Sequence, residues 1–189
     1  SSLPVATAIA LVTTAITLTI AAEEPYSAVI AMGLPAIAVL SARAFRGSWL
    51  AILGVTLYLG ISATFYTLFT GAAALTVVSL IALFTALYEH TWRPILRLVI
   101  MAVGSIAIAV IAWGPYLWSV MHSPVPLQTT AQHYLPEEGT QIPVPFLSFS
   151  IVGFLCLMGL IYIVIRLNDV EVRALGISLL GIYLWTVVS

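Results

Sequence analysis

The residues best equipped for water-facing chemistry are crowded into one interval. Residues 122–146, HSPVPLQTTAQHYLPEEGTQIPVPF, contain His122, His133, Tyr134, Glu137 and Glu138. Carboxylates can take protons from hydroxyl groups and hydrogen-bond to sugars. Imidazole titrates near neutral pH, and the Tyr134 ring beside His133 can stack on a sugar face. His133, Tyr134, Glu137 and Glu138 are therefore candidate substrate contacts. The plainer reading is a turn between Pro136 and Gly139 that carries two solvated glutamates. A metal centre is not expected, because these His and Glu spacings match no compact ligand motif. A second acidic pair, Glu23 and Glu24, is a weaker candidate for the same cleft.

The surroundings of this interval are almost wholly apolar. The chain has 189 residues, 62% hydrophobic and 7% charged, with a mean hydropathy of +1.15. Soluble domains carry roughly a quarter charged residues, so this composition cannot cover a water-facing surface and implies a polytopic membrane protein. There is no lysine, and the six arginines are scattered. No basic footprint for nucleic acid exists, and membrane lipid is the expected environment. The single cysteine, Cys156, lies in an apolar run and reads as packing. The chain opens on SSLPVATAIA and stops on GIYLWTVVS, both inside apolar runs, with no initiator Met and no signal peptide. It is expected to be an internal fragment of a longer protein.

A spanning helix needs about 20 apolar residues. On that measure the fold class is all-α, a transmembrane bundle of about seven helices forming one domain over 1–189. The segments fall at about 3–22, 27–42, 49–69, 72–88, 95–113, 147–165 and 174–189. Pro35 should kink the second. Thr70-Gly71 reads as a tight turn, and Gly114-Pro115 as the end of one helix and the start of a short interfacial one over 115–121. Alternating these segments puts Arg43, Arg46, Arg93, Arg97, Arg166 and Arg173 on one side. By the positive-inside rule that side is cytoplasmic, and loop 122–146 then faces outward with Glu23 and Glu24.

The remaining charges have ordinary explanations. Glu89 and Arg93 read as a local salt bridge, and Asp169, Glu171 and Arg173 as a solvated inner turn. The threonines Thr7, Thr13, Thr14, Thr17 and Thr19 can bond to their own backbone or a neighbouring helix. No ionisable residue falls near mid-membrane, where ion and proton pathways usually mark themselves. No nucleotide-phosphate loop, dinucleotide fingerprint, HExxH or GxSxG occurs.

Several stretches together carry a family likeness. Gly114-Pro115-Tyr116-Leu117 is followed by His133-Tyr134-Leu135-Pro136-Glu137-Glu138-Gly139, by Pro143-Val144-Pro145-Phe146, and by Phe149 to Leu157. This resembles the actinobacterial galactan arabinofuranosyltransferases, most closely over about 113–166. The resemblance implies a polytopic glycosyltransferase that takes arabinofuranose from decaprenyl-phosphoryl-arabinofuranose and places it on cell-wall galactan. The donor is a lipid-linked sugar, and no separate cofactor is implied. It also implies inversion at the anomeric carbon and hence a carboxylate base, generally an acid of the first outer loop. No Asp lies on the outer side here, so the base is expected upstream of Ser1, no catalytic residue is assigned, and the fragment alone is expected to be inactive. Two other readings stay open, a transporter or flippase segment and a non-catalytic membrane scaffold.

Overall fold

The computed structural model describes residues 25–65, 70–71, 73–122 and 145–188, together with Leu11 and Thr14. The described residues are helical, with no strand among them. Six α-helices are seen: α1 Pro25–Phe45, α2 Trp49–Phe65, α3 Ser79–Tyr88, α4 Arg93–Met121, α5 Ile151–Ile165 and α6 Val170–Val188. A π-helical segment, Ala73–Val78, leads into α3, and a 3-10 turn, Pro145–Leu147, precedes α5.

Short turns make successive helices antiparallel. Between α1 and α2, Gly47 takes φ +114°, its amide bonds to Ala44 O, and the Ser48 amide bonds to Arg43 O. This pair of bonds, made around a left-handed glycine, satisfies two carbonyls at the end of α1. Gly47→Ala is expected to destabilise the protein by about 1–2 kcal/mol, the cost of a left-handed side-chain residue. A Cβ there would also stand 3.1 Å from Arg97 Nη2. Thermal unfolding of the purified protein in detergent checks the loss. At the other junctions, His90 (φ 47°) turns the chain from α3 into α4. The Asp169 carboxylate accepts from the Glu171 amide and caps α6, and Ser150 Oγ caps α5 by accepting from the Gly153 amide.

The core lies where α1 meets α2, the 73–88 segment and α6. Phe45, Val55, Val77, Val78 and Ile81 are fully buried there, and Met101 joins them from α4. Tyr58 of α2 crosses to α1, where its hydroxyl donates to Ile30 O and its ring fills the space left by Gly33. The α2–α4 contact depends on two further glycines. A Cβ on Gly60 would lie 2.8 Å from Ile108 Cβ, and one on Gly104 would lie 2.7 Å from Thr56 Cγ2. With the backbones this close, Ser105 Oγ reaches Thr56 O at 3.2 Å and Trp113 Nε1 reaches Ala63 O at 3.1 Å. Much of the rest of α4 is exposed, with Ile111 80% exposed. Bare apolar faces of this kind suit contact with lipid or further protein, not water.

One buried polar group is left over. Ser41 Oγ is fully buried and has no hydrogen-bond partner. Such a group costs about 1–3 kcal/mol, so Ser41→Ala is expected to raise the unfolding temperature or leave it unchanged. A clear fall would mean that the hydroxyl has a partner.

Several local expectations are corrected. Gly114-Pro115 does not end a helix, and no separate interfacial helix forms at 115–121, because α4 runs unbroken from Arg93 to Met121. Proline fixes a helical φ and removes only one donor. The neighbouring Trp113 holds this stretch against the end of α2. Thr70 and Gly71 are helical rather than a tight turn. Helix α1 reaches three residues further at its end than expected, since its stop is the Gly47 cap. Helix α6 begins at Val170, not at 174, because Asp169 caps it and Glu171 and Arg173 lie in its first turn. The Glu89–Arg93 salt bridge is not formed. The left-handed turn at His90 breaks the helical spacing that would pair them, and the ion pair seen among the described residues is Arg43–Glu171.

Candidate functional site

The antiparallel order gathers the end of α1, the start of α2, the end of α3, the start of α4, the end of α5 and the start of α6 at one end of the bundle. All six arginines lie at these helix ends. Side chains tie the ends together. Arg43 Nε donates to Glu171 Oε1 at 2.7 Å, and Arg97 donates to Phe45 O. The Arg173 guanidinium lies 4.7 Å from the centroid of the Tyr88 ring and 5.6 Å from that of Phe84. Arg43 lies just past the apolar stretch 27–42. Its hydrogen bond to Glu171, reinforced by that carboxylate's charge, holds its pKa above the ordinary arginine value. Ala42, Ile81, Thr85, Glu89, Val170 and Arg173 line a cleft here of about 20 Å³. That is space for a water and too little for a sugar ring.

The opposite end is different in character. Trp113 and Tyr116 meet edge-on at 5.6 Å. The His122 ring lies 4.4 Å from Trp118, and its Nδ1 bonds to Trp118 O at 2.9 Å. His122 is thus engaged by its own helix, which fits a structural role. Where the chain returns, Phe146, Leu147, Phe149, Ile151, Phe154 and Leu157 line an open groove of about 860 Å³, with Ser148 and Ser150 at its mouth. Phe149 and Ile151 are almost fully exposed. The Ser148 and Ser150 hydroxyls bond to each other at 2.9 Å. An apolar trough edged by hydroxyls can hold a hydrocarbon chain. It has no group that could move a proton.

The six candidate contact residues, His133, Tyr134, Glu137, Glu138, Glu23 and Glu24, lie outside the described residues. The structure does place the ends of their segments. Loop 122–146 leaves from the end of α4 and returns beside the apolar groove, and residue 25 starts α1 at this same end. Among the described residues no cluster of three or more His, Cys, Asp or Glu could hold a metal. The groove itself was missed from the sequence. Phe146 read there as the end of loop 122–146, and Phe149 and Phe154 as part of the 147–165 helix, with nothing to mark a groove.

Helix α4, 29 residues long and mostly apolar, is long enough to cross a bilayer, and it is the one such helix among the described residues. Helical described residues, one helix long enough to span and exposed apolar faces suit a membrane-associated helical protein. The chain belongs to the arabinofuranosyltransferase N-terminal family, whose model matches residues 1–189. It is 51% identical over 184 residues to a galactan 5-O-arabinofuranosyltransferase of Corynebacterium glutamicum, covering 97% of this chain and 28% of that protein. It is 38% identical over 182 residues to the protein of the same name in Mycolicibacterium smegmatis, covering 93% of this chain and 29% of that protein. With the Mycobacterium tuberculosis protein of that name it shares 34% over 187 residues, covering 94% and 29% respectively. The chain therefore spans less than a third of the length of these curated relatives.

Proposed function

We propose that this chain is the amino-terminal membrane part of a glycosyltransferase that moves arabinofuranose from decaprenyl-phosphoryl-arabinofuranose to cell-wall galactan. The observation that carries the reading is the family match over the whole chain, together with the shared name of its relatives. In the reaction, a galactan hydroxyl attacks the anomeric carbon. The bond from that carbon to the phosphate oxygen breaks, polyprenyl phosphate leaves, and the hydroxyl proton passes to a carboxylate base outside this chain.

The chain's own part is to bind and orient. About seven helices span the bilayer, with the arginine-bearing end cytoplasmic and loop 122–146 outside. Glu137, Glu138, His133 and Tyr134, with Glu23 and Glu24, contact the sugar and its acceptor. The apolar groove at Phe146–Leu157 supports this reading, because a lipid-linked donor needs a trough for its chain beside the loop that meets its headgroup. Membranes carrying the full-length protein are expected to release polyprenyl phosphate from the lipid-linked donor only when galactan acceptor is present. Equal release by membranes from a vector-only strain would refute the proposal.

A further inference from the structure

The arginines at the basic end are not equally employed. Arg43 is engaged by Glu171, Arg97 by the Phe45 carbonyl, and Arg173 by the rings of Tyr88 and Phe84. Arg46, Arg93 and Arg166 are exposed and have no partner among the described residues. Nor do the carboxylates of this end supply one. Glu171 serves Arg43, and Asp169 accepts from its own helix. Glu89 sits at the Arg173 cleft, on the far side of the His90 turn from Arg93.

Two of the free arginines share a corner. Arg97 lies one helical turn beyond Arg93 on α4, and its guanidinium reaches the carbonyl of Phe45, the residue before Arg46. The start of α4 is thereby held against the end of α1. Beside this corner, Trp49 is 70% exposed and Trp92 84% exposed. Tryptophan rings settle at the headgroup level of bilayers, and guanidinium groups bind phosphate oxygens in paired hydrogen bonds.

We infer that Arg46 and Arg93, flanked by Trp49 and Trp92, form a binding site for the phosphate of an anionic phospholipid. The site is separate from the sugar-transfer end and lies at the opposite end of the bundle. Its occupant bridges α1 and α4, and so reinforces the junction that Arg97 makes from inside. The inference rests on the membrane reading above.

The test uses the full-length protein, reconstituted in phosphatidylcholine with or without phosphatidylglycerol, with retained lipid read by native mass spectrometry. The unmodified protein is expected to retain phosphatidylglycerol in preference to phosphatidylcholine. In the R46Q/R93Q double variant the apparent affinity for phosphatidylglycerol is expected to fall roughly tenfold or more, given the attraction of each cation to an anionic surface. R166Q removes another exposed arginine at the same end but away from the corner, and should change nothing. Equal loss in R166Q and the double variant would mean diffuse attraction and would overturn the site. No preference in the unmodified protein, no change in the double variant, or displacement of the lipid by inorganic phosphate would also overturn it. Carbonate extraction of the membranes separates the two readings. A protein that washes off contradicts the membrane reading itself, whereas one that stays inserted without a lipid preference contradicts only this site.

Discussion

Replacing His133, Glu137 and Glu138 together by alanine is expected to lower kcat/KM for arabinofuranose transfer by at least roughly 100-fold, since a hydrogen bond to a charged group contributes about 1.5–3 kcal/mol. The full-length protein should still insert in the membrane and be recovered at normal yield, because none of the packing contacts among the described helices involves these residues. The loss should be greatest at low substrate concentration, as expected of groups that bind substrate and do not take the proton. Single replacements should cost less, and Glu137→Gln less than Glu137→Ala. Unchanged kinetics in the triple variant would favour a non-catalytic scaffold role for this chain and leave the two glutamates as solvated residues on the Pro136–Gly139 turn.

The largest stability effect is expected at Gly60. A Cβ there already meets three atoms of Ile108 at 2.8–3.0 Å, including its Cβ, which cannot swing aside. Gly60→Leu must push α2 and α4 apart. Overpacking of this kind costs typically 1–3 kcal/mol. Separation also threatens the Ser105–Thr56 and Trp113–Ala63 bonds, and interhelical bonds in membranes average about 0.6 kcal/mol each. A total of about 3 kcal/mol is the expected loss, seen as a marked drop in the unfolding temperature in detergent. Adding Ile108→Ala should recover part of it, because neighbouring sites are non-additive when they share one space. A Gly60→Leu protein as stable as the original would contradict the α2–α4 packing.

The all-helical character of the described residues was legible in the long apolar runs, while the segment expected at 3–22 lies outside the described residues apart from Leu11 and Thr14. The arginine-bearing end was legible too. Arg43, Arg97 and Arg173 were grouped from the alternation of segments, and they make contacts at one end of the described bundle. Local rules failed where tertiary contacts overrode them. Gly114-Pro115 reads as a break, but α4 continues past it, with Trp113 bonded to Ala63. Glu89 and Arg93 have the spacing of a helical ion pair, but His90 turns the chain between them. The Arg43–Glu171 pair spans 128 residues, beyond the reach of any local pattern. The same holds for the fit of Gly60 to Ile108, since a glycine in an apolar run does not announce which helix comes close. The candidate site is legible only as residue chemistry, and the residues named for it lie outside the described ones. Residue types in loop 122–146 pointed to a sugar, and the family resemblance named it. The apolar groove beside the loop emerged only when Phe146, Phe149 and Phe154 were placed in space.

The central claim is that this chain belongs to an enzyme that transfers a pentose from a lipid carrier to galactan. The most direct measurement combines the purified full-length protein with synthetic decaprenyl-phosphoryl-arabinofuranose and a galactofuranose oligomer, then counts both products. One arabinofuranose is expected to be added to the acceptor, with inverted anomeric configuration, for each polyprenyl phosphate released. Release without acceptor gain, or movement of the intact donor across the bilayer with no transfer, would contradict it.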